Sequence, residues 1–273
     1  AQSQSTIDLS SLQAVGAGRY EFRVEAEGTL LLGDFTVTNN TTFNINDVTS
    51  NVVIGGSLLL DSPAAFNVAT GGGVSVAGNF SFAITDETAF QSDDGILTMN
   101  GTGTFGNPQY LEVGGQDLGL PGTDFGVASD AFDPFVTIGD NGNFNLGKLV
   151  VGVDGSPATV VELIDAIDNG NRLSPEALYL PGLGGDGLEI FGGSSLNIES
   201  INVYAFLDGQ WVHLNSLFTG SVTQIALSSI VSDPEADGFI VIPEPTTIAL
   251  LGLGGLMMMR RRRGSNAGDG IAG

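Results

Sequence analysis

Gly33-Asp34-Phe35-Thr36-Val37, Gly56-Ser57-Leu58-Leu59-Leu60 and Gly78-Asn79-Phe80-Ser81-Phe82 are three versions of one phrase: a glycine, a polar residue, then a short strand. They recur at spacings of 23 and 22 residues, and a weaker copy, Gly101-Thr102-Gly103-Thr104-Phe105, follows after 23 more. Two residues before each glycine stand Leu31, Ile54, Val76 and Met99. Phe43 and Phe66 fall in phase further on, with Ile45 and Val68 beside them; the third copy gains two residues and gives Phe90, and the fourth gives Leu111 and Val113. Each copy holds three short runs of alternating apolar residues separated by polar or glycine turns, the pattern of strands with one buried face.

A period of about 22 residues with three short strands is the length of one turn of a parallel β-solenoid. Inward residues then recur at one angular position, so Phe35, Leu58 and Phe80 are predicted to stack, as are Val37, Leu60 and Phe82. An antiparallel sandwich with evenly spaced hairpins shares the alternation but not the strict register. Tyr20 to Ala26 reads as an incomplete first turn or cap. The expectation is a mainly β protein: a parallel β-solenoid over 1–115, then a mixed β region with one helix over 116–232 that caps or continues it.

From Gly115 to Asn143 the period lapses into loop-like sequence. Asn145 to Val153 reads as a strand. Val160, Leu163, Ile164 and Ile167 have the spacing of an amphipathic helix over Thr159 to Ile167, ended by Asn169-Gly170. Strands follow over Ala177–Leu180, Leu188–Phe191, Ser195–Ile198, Ile201–Leu207 and Trp211–Leu214. Gly192 to Ile198 echoes the glycine-led phrase, and Asp208-Gly209 is a hairpin turn. Residues 233–242 read as a linker.

The C-terminus carries a three-part pattern: Pro243-Glu244-Pro245, then Thr246 to Met259 without a charge, then Arg260, Arg261, Arg262 and Arg263. The prolines lack backbone donors and hold an extended segment. The apolar stretch predicts a short membrane helix, about 21 Å against a ~30 Å hydrocarbon core, with snorkelling arginines closing part of the gap. An arginine block beside such a helix marks the cytoplasmic side, which puts the body across the membrane. Residues 264–273 read as a disordered extension.

This pattern resembles the PEP-CTERM sorting signal of Gram-negative bacteria. The resemblance implies that Pro243, Glu244 and Pro245 are recognition residues for an exosortase-type processing enzyme, within a signal over 243–263. It implies a membrane-held intermediate and then delivery to the outer surface or extracellular matrix. The opening Ala1-Gln2-Ser3-Gln4 fits a mature N-terminus left by signal-peptide removal, so export is expected from both ends.

Composition narrows the partners. The chain has 31 acidic residues against 8 Lys plus Arg, a net −23, and the part up to Met259 holds four basic and thirty acidic residues, a net −26. Such a body repels nucleic acid and anionic lipid. Zero cysteines exclude disulfides, thiolate metal sites and thiol nucleophiles.

Catalytic chemistry is thin. His213 is the single histidine and alternates with Trp211 on one strand face, so no metal triad can be built on it. No serine has a nucleophile-elbow context. A polysaccharide lyase on a solenoid needs Arg or Lys in its groove, and the body offers only Arg19, Arg23, Lys148 and Arg172, scattered in sequence. Glycoside hydrolysis needs two carboxylates, and no pair stands out. Asp140-Asn-Gly-Asn143 and Asp165 to Asn171 hold oxygen ligands but lack a calcium-loop pattern, and Asx-Gly turns explain them. Outward positions such as Thr36, Leu59 and Ser81 form no threonine ladder, which discounts ice binding. No catalytic residue, metal or cofactor is expected. The expected role is structural or adhesive, with polysaccharide or further copies of the chain as partners; the alternative is a secreted carbohydrate-active enzyme. An enzyme should gather its carboxylates in one groove, whereas a matrix protein should spread them.

Overall fold

In a computed structural model of the chain, from β1 to β21 the backbone visits three positions in rotation, so each strand finds its partner three strands away in sequence order. The structure describes residues 6–242 except 13, 16–20, 26, 38–40, 48, 62–63, 70, 87–88, 93–94, 122–142, 170–175, 183–184, 200 and 234–236.

The first position is a seven-stranded parallel sheet of β1 (Thr6–Leu9), β4 (Thr29–Leu32), β7 (Asn51–Ile54), β10 (Gly73–Val76), β13 (Ile96–Met99), β16 (Lys148–Val151) and β19 (Leu188–Ile190). The second holds β2 (Ala14–Val15), β5 (Phe35–Val37), β8 (Leu58–Leu60), β11 (Phe80–Phe82), β14 (Gln109–Glu112), β17 (Val160–Ile164), β20 (Ser195–Asn197), β24 (Phe239–Val241) and β23 (Gln224–Ala226), a nine-stranded sheet. The third is divided. β3 (Glu21–Val24), β6 (Thr42–Ile45), β9 (Ala65–Val68) and β12 (Phe90–Gln91) form one four-stranded sheet, and β15 (Gly115–Gln116), β18 (Glu176–Leu180), β21 (Asn202–Leu207) and β22 (Gln210–His213) form another. Helix is almost absent: the described residues hold short 3-10 turns such as Leu214–Leu217 and Leu227–Ser229.

Register follows the repeat. Phe35, Leu58 and Phe80 are partners across β5, β8 and β11, as are Val37 and Leu60, and Leu60 and Phe82. Phe43, Phe66 and Phe90 line up across β6, β9 and β12. All are buried, and their rings touch: Phe66 and Phe90 lie 5.3 Å apart, Phe82 and Phe90 4.7 Å. A buried aromatic row of this kind removes a large apolar area from water with every turn.

Several expectations are corrected. The helix over Thr159 to Ile167 is strand β17: Val160 and Val161 are stiff β-branched residues, and β14 offers them a parallel ladder that buries Val161 and Leu163. Leu31, which the glycine alignment sets beside Ile54, is not its partner. Leu32 pairs with Ile54 and is buried, because the Gly55-Gly56 turn is one residue longer than the turn at Gly33. The fourth copy is not a strand at Phe105, which is 69% exposed beside a Thr104–Asn107 bridge; β14 takes the slot, with Leu111 opposite Phe80. In the region expected to cap or continue the repeats, parallel ladders run on through β16, β17, β19 and β20. Finally, residues 239–241 of the expected linker are strand β24, since Ile240 has a buried place between β20 and β23.

The compact body ends at Ile242. The Pro243-Glu244-Pro245 motif, the expected membrane helix, Arg260 to Arg263, the extension 264–273, Asp140, Arg19 and Arg172 lie outside the described residues. Among the described residues no helix is long and apolar enough to cross a membrane.

Candidate functional site

Three carboxylates meet where β14, β17 and β18 leave their ladders. Glu112 pairs with Ile164 at the end of β17, which brings the next residue, Asp165, beside it, and Glu176 opens β18. One oxygen from each lies within 4.8 Å of the others; Glu112 and Glu176 are buried and Asp165 is exposed. Glu112 Oε1 accepts the backbone N–H groups of Ala166 (2.9 Å) and Ile167 (2.8 Å), so this carboxylate holds the turn that follows β17. Oxygens this close suit a hard cation or a shared proton, and these three residues are the set among the described residues able to hold a metal ion. Glycosidase pairs stand farther apart, about 5–5.5 Å or about 6.5–9.5 Å. Sequence reading named only Asp165; Glu112 and Glu176 are too distant in sequence to signal their meeting.

The second constellation is aromatic. Tyr179, Tyr204 and His213 are partners across β18, β21 and β22 and stack as a column, with ring centroids 4.8 Å and 4.6 Å apart. Trp211 meets Phe206 edge-on at 5.9 Å on the same strand pair. Asp117 ties this face from one side, accepting Tyr204 Oη–H at 3.0 Å and Asn202 Nδ2–H at 2.6 Å, while His213 Nε2 lies 3.1 Å from Asn202 Oδ1. Tyr179 Oη accepts the Leu118 N–H and donates to the Gly119 carbonyl, and burial pushes its phenol well above the usual tyrosine range. His213 and Trp211 share a face, as their alternation predicted, and both are half-buried. The hairpin turn between their strands is as read, with Asp208 and Gly209 at φ 47° and 80°.

Among the described residues the basic side chains of Arg23 and Lys148 do not converge. Arg23 on β3 pairs with Glu21 (3.0 Å) and Glu25 (3.3 Å), whereas Lys148 on β16 pairs with Glu189 on β19. They belong to different sheets, and a lyase groove needs them together.

β24 is the last constellation. It runs parallel to β20 and antiparallel to β23, with Ile240 opposite Leu196 on one side and Ile225 on the other. The Val241 carbonyl accepts Ile198 N–H at 3.0 Å, and Ile242 N–H donates to the Thr223 carbonyl at 2.9 Å. Val241 is also where a match to a known protein-sorting motif begins. Residues 241–263 carry the PEP-CTERM protein-sorting motif. PEP-CTERM signals direct export across the membrane toward the cell surface and processing by an exosortase, and the match contains Pro243, Glu244, Pro245 and Arg260 to Arg263. No curated protein and no solved structure matches the chain. The first two residues of the PEP-CTERM segment belong to the folded body.

Proposed function

We propose that the body is a β-solenoid serving a structural or adhesive, non-enzymatic role at the cell surface or in the exopolysaccharide matrix, where the PEP-CTERM signal delivers it. The observation that carries this reading is a pair of half-buried carboxamides in parallel register on neighbouring strands, beside a carboxylate. Asn44 and Asn67 are partners on β6 and β9, with Asn67 Nδ2 donating to Asn44 Oδ1 at 2.8 Å, and Asn44 Nδ2 donating to Glu21 Oε1 at 2.6 Å. Strands stand about 4.8 Å apart, so polar side chains in this register repeat along the sheet at a spacing that a sugar polymer can follow. Acidic residues stand on each of the four sheets, Glu189, Glu112, Glu21 and Glu176 among them, which is compatible with a matrix role. The carboxylate cluster among the described residues has two buried members and spends an oxygen of Glu112 on backbone groups, which favours a structural use over a catalytic one.

The test is the intact mass of the protein from native envelope and culture matrix, followed by binding of the recovered body to the host's purified exopolysaccharide. A truncated body that binds the polymer and leaves its chain length unchanged is the expected result. Depolymerisation of the glycan, or full-length chain confined to the inner membrane, overturns the reading.

A further inference from the structure

The stack of parallel ladders is closed at one end and open at the other. After its last turns β22 and β23 pair antiparallel, and the 3-10 turns beside them bury Leu214 and Leu227 in the core. At its start β1, β2 and β3 are each the terminal strand of their sheet, with a neighbour on one side only among the described residues. The inward side chains there show the consequence. Ile7 stands in register with buried Leu30 and Phe22 with buried Phe43, yet Ile7 is 59% exposed and Phe22 only half-buried. Between β1, β3 and β4 lies a groove of about 250 Å³ with Ile7, Leu9, Phe22 and Val24 in its wall.

An open edge invites another strand, and here the charges on it select which one. Backbone groups point alternately to the two sides of a strand; the Val24 carbonyl accepts Asn46 N–H within the sheet, so those of Glu21 and Arg23 face the open edge. On the outer face of β3, exposed Arg23 stands between exposed Glu21 and Glu25, 3.0 Å and 3.3 Å from their carboxylates. A row of one sign would repel a copy of itself, whereas this row is complementary to itself. Turned antiparallel about Phe22, β3 sets Glu21 opposite Arg23 of a second copy and Arg23 opposite its Glu21, the reciprocal contacts of a two-fold interface. The same register lays Phe22 against Phe22 over the open core; a register centred on Arg23 would set arginine against arginine. We propose that this end is a docking surface for a second copy of the chain, with β3 paired antiparallel to β3 across a two-fold axis at Phe22 and the groove beside Ile7 and Leu9 sealed. Pairing of this kind depends on neither the sorting signal nor glycan binding.

Sedimentation velocity of the full chain in detergent, over a range of protein concentration, should show a monomer–dimer equilibrium. Arg23→Glu sets acids opposite acids and should weaken the dimer about tenfold. Combining it with Glu21→Arg restores opposite charges in the same register and should recover the dimer, both variants melting like the parent. The chain has no cysteine, so a mixture of Glu21→Cys and Arg23→Cys chains should oxidise to a mixed disulfide dimer in higher yield than either variant alone. A monomer at every concentration overturns the proposal while leaving polysaccharide binding untouched. So does a dimer that survives Arg23→Glu and gives no mixed disulfide, because its contact then lies elsewhere on the chain. Protection of the Glu21 and Arg23 amides from hydrogen exchange in a monomer would assign the edge to a segment of the same chain, and overturns it as well.

Discussion

The turns from Thr29 to Met99 and those from Gln109 onward use the same rotation of strands but close their interiors with different chemistry. In the first stretch the buried polar residues are Thr41, Ser50 and Ser92, and everything else described inside is apolar. In the second they are Gln109, Glu112, Asn143, Asn145, Thr159, Asn169, Glu176, Ser194, Ser195 and Asn197. Where each turn repeats the last, the neighbouring turn satisfies its backbone groups. Where the chain makes an excursion, side chains must do so, because a buried unpaired group is costly. The regular half rests on packing and the irregular half on polar locks.

The largest expected effect comes from breaking the packing. Phe80→Ala removes a ring that touches Phe66 and Phe82, and a cavity of that size costs about 3–5 kcal/mol. Denaturant titration should show a lower midpoint. Loss of less than about 1 kcal/mol would mean that the aromatic row relaxes into the gap and that the contrast between the halves is overstated.

Gln109→Leu attacks a lock instead. Gln109 Oε1 accepts Gly101 N–H at 3.0 Å, and its amide donates to the Val76 carbonyl at 2.7 Å and to Gly78. Leucine fills the volume but orphans the Gly101 N–H, at a cost of about 1–3 kcal/mol. Hydrogen exchange should speed at the excursion over residues 101–108 more than in β10 or β13. Uniform acceleration would show that Gln109 acts as one more core side chain.

Legibility in the sequence follows the same division. Phe35, Leu58 and Phe80 could be placed in register because successive turns have nearly equal length, so spacing alone carried the third dimension. Leu31 was displaced by a one-residue change in a turn, which reverses the face of every side chain before it. β17 was hidden because Val160, Leu163, Ile164 and Ile167 satisfy the helical period as well as the strand period, and only the presence of β14 decides between them. The meeting of Glu112 with Glu176, and of Asp117 with Tyr204, depends on excursions whose paths no periodicity encodes. The sorting motif was legible because its information is local: two prolines, an uncharged run and an arginine block. Its attachment to β24 was not, since Phe239-Ile240-Val241 is too short to announce a partner.

Tyr179→Phe tests a weaker lock. It removes the hydroxyl's bonds to Leu118 and Gly119, about 0.5–1.5 kcal/mol each. Because burial raises the folded phenol's pKa above its unfolded value, its contribution is complete below the ordinary tyrosine pKa of about 10 and is lost as pH rises beyond it. The variant should therefore be less stable at pH 7 yet lose less stability between about pH 10 and 12 than the parent. An unchanged alkaline slope would place the tyrosine's ionisation elsewhere.

Glu162→Gln should have the smallest effect, and its sign is opposite. Glu162 sits on β17 with Asn197 donating to it at 3.2 Å; burial raises its pKa, the Glu199 charge adds to the rise, and the Asn197 bond opposes it. A carboxyl with a raised folded pKa contributes fully below its unfolded value of about 4.3, and that contribution disappears as pH climbs through the folded value. Above that value the Glu162 charge is thus a slight burden on the irregular half, one that its dense polar contacts absorb. Neutralising Glu162 should raise the melting temperature slightly at pH 7 and leave it unchanged at pH 3, where the parent's carboxyl is already protonated. A rise at both pH values would instead credit the amide with a new hydrogen bond, and a fall at pH 7 would show that the carboxylate's bond to Asn197 outweighs its burial.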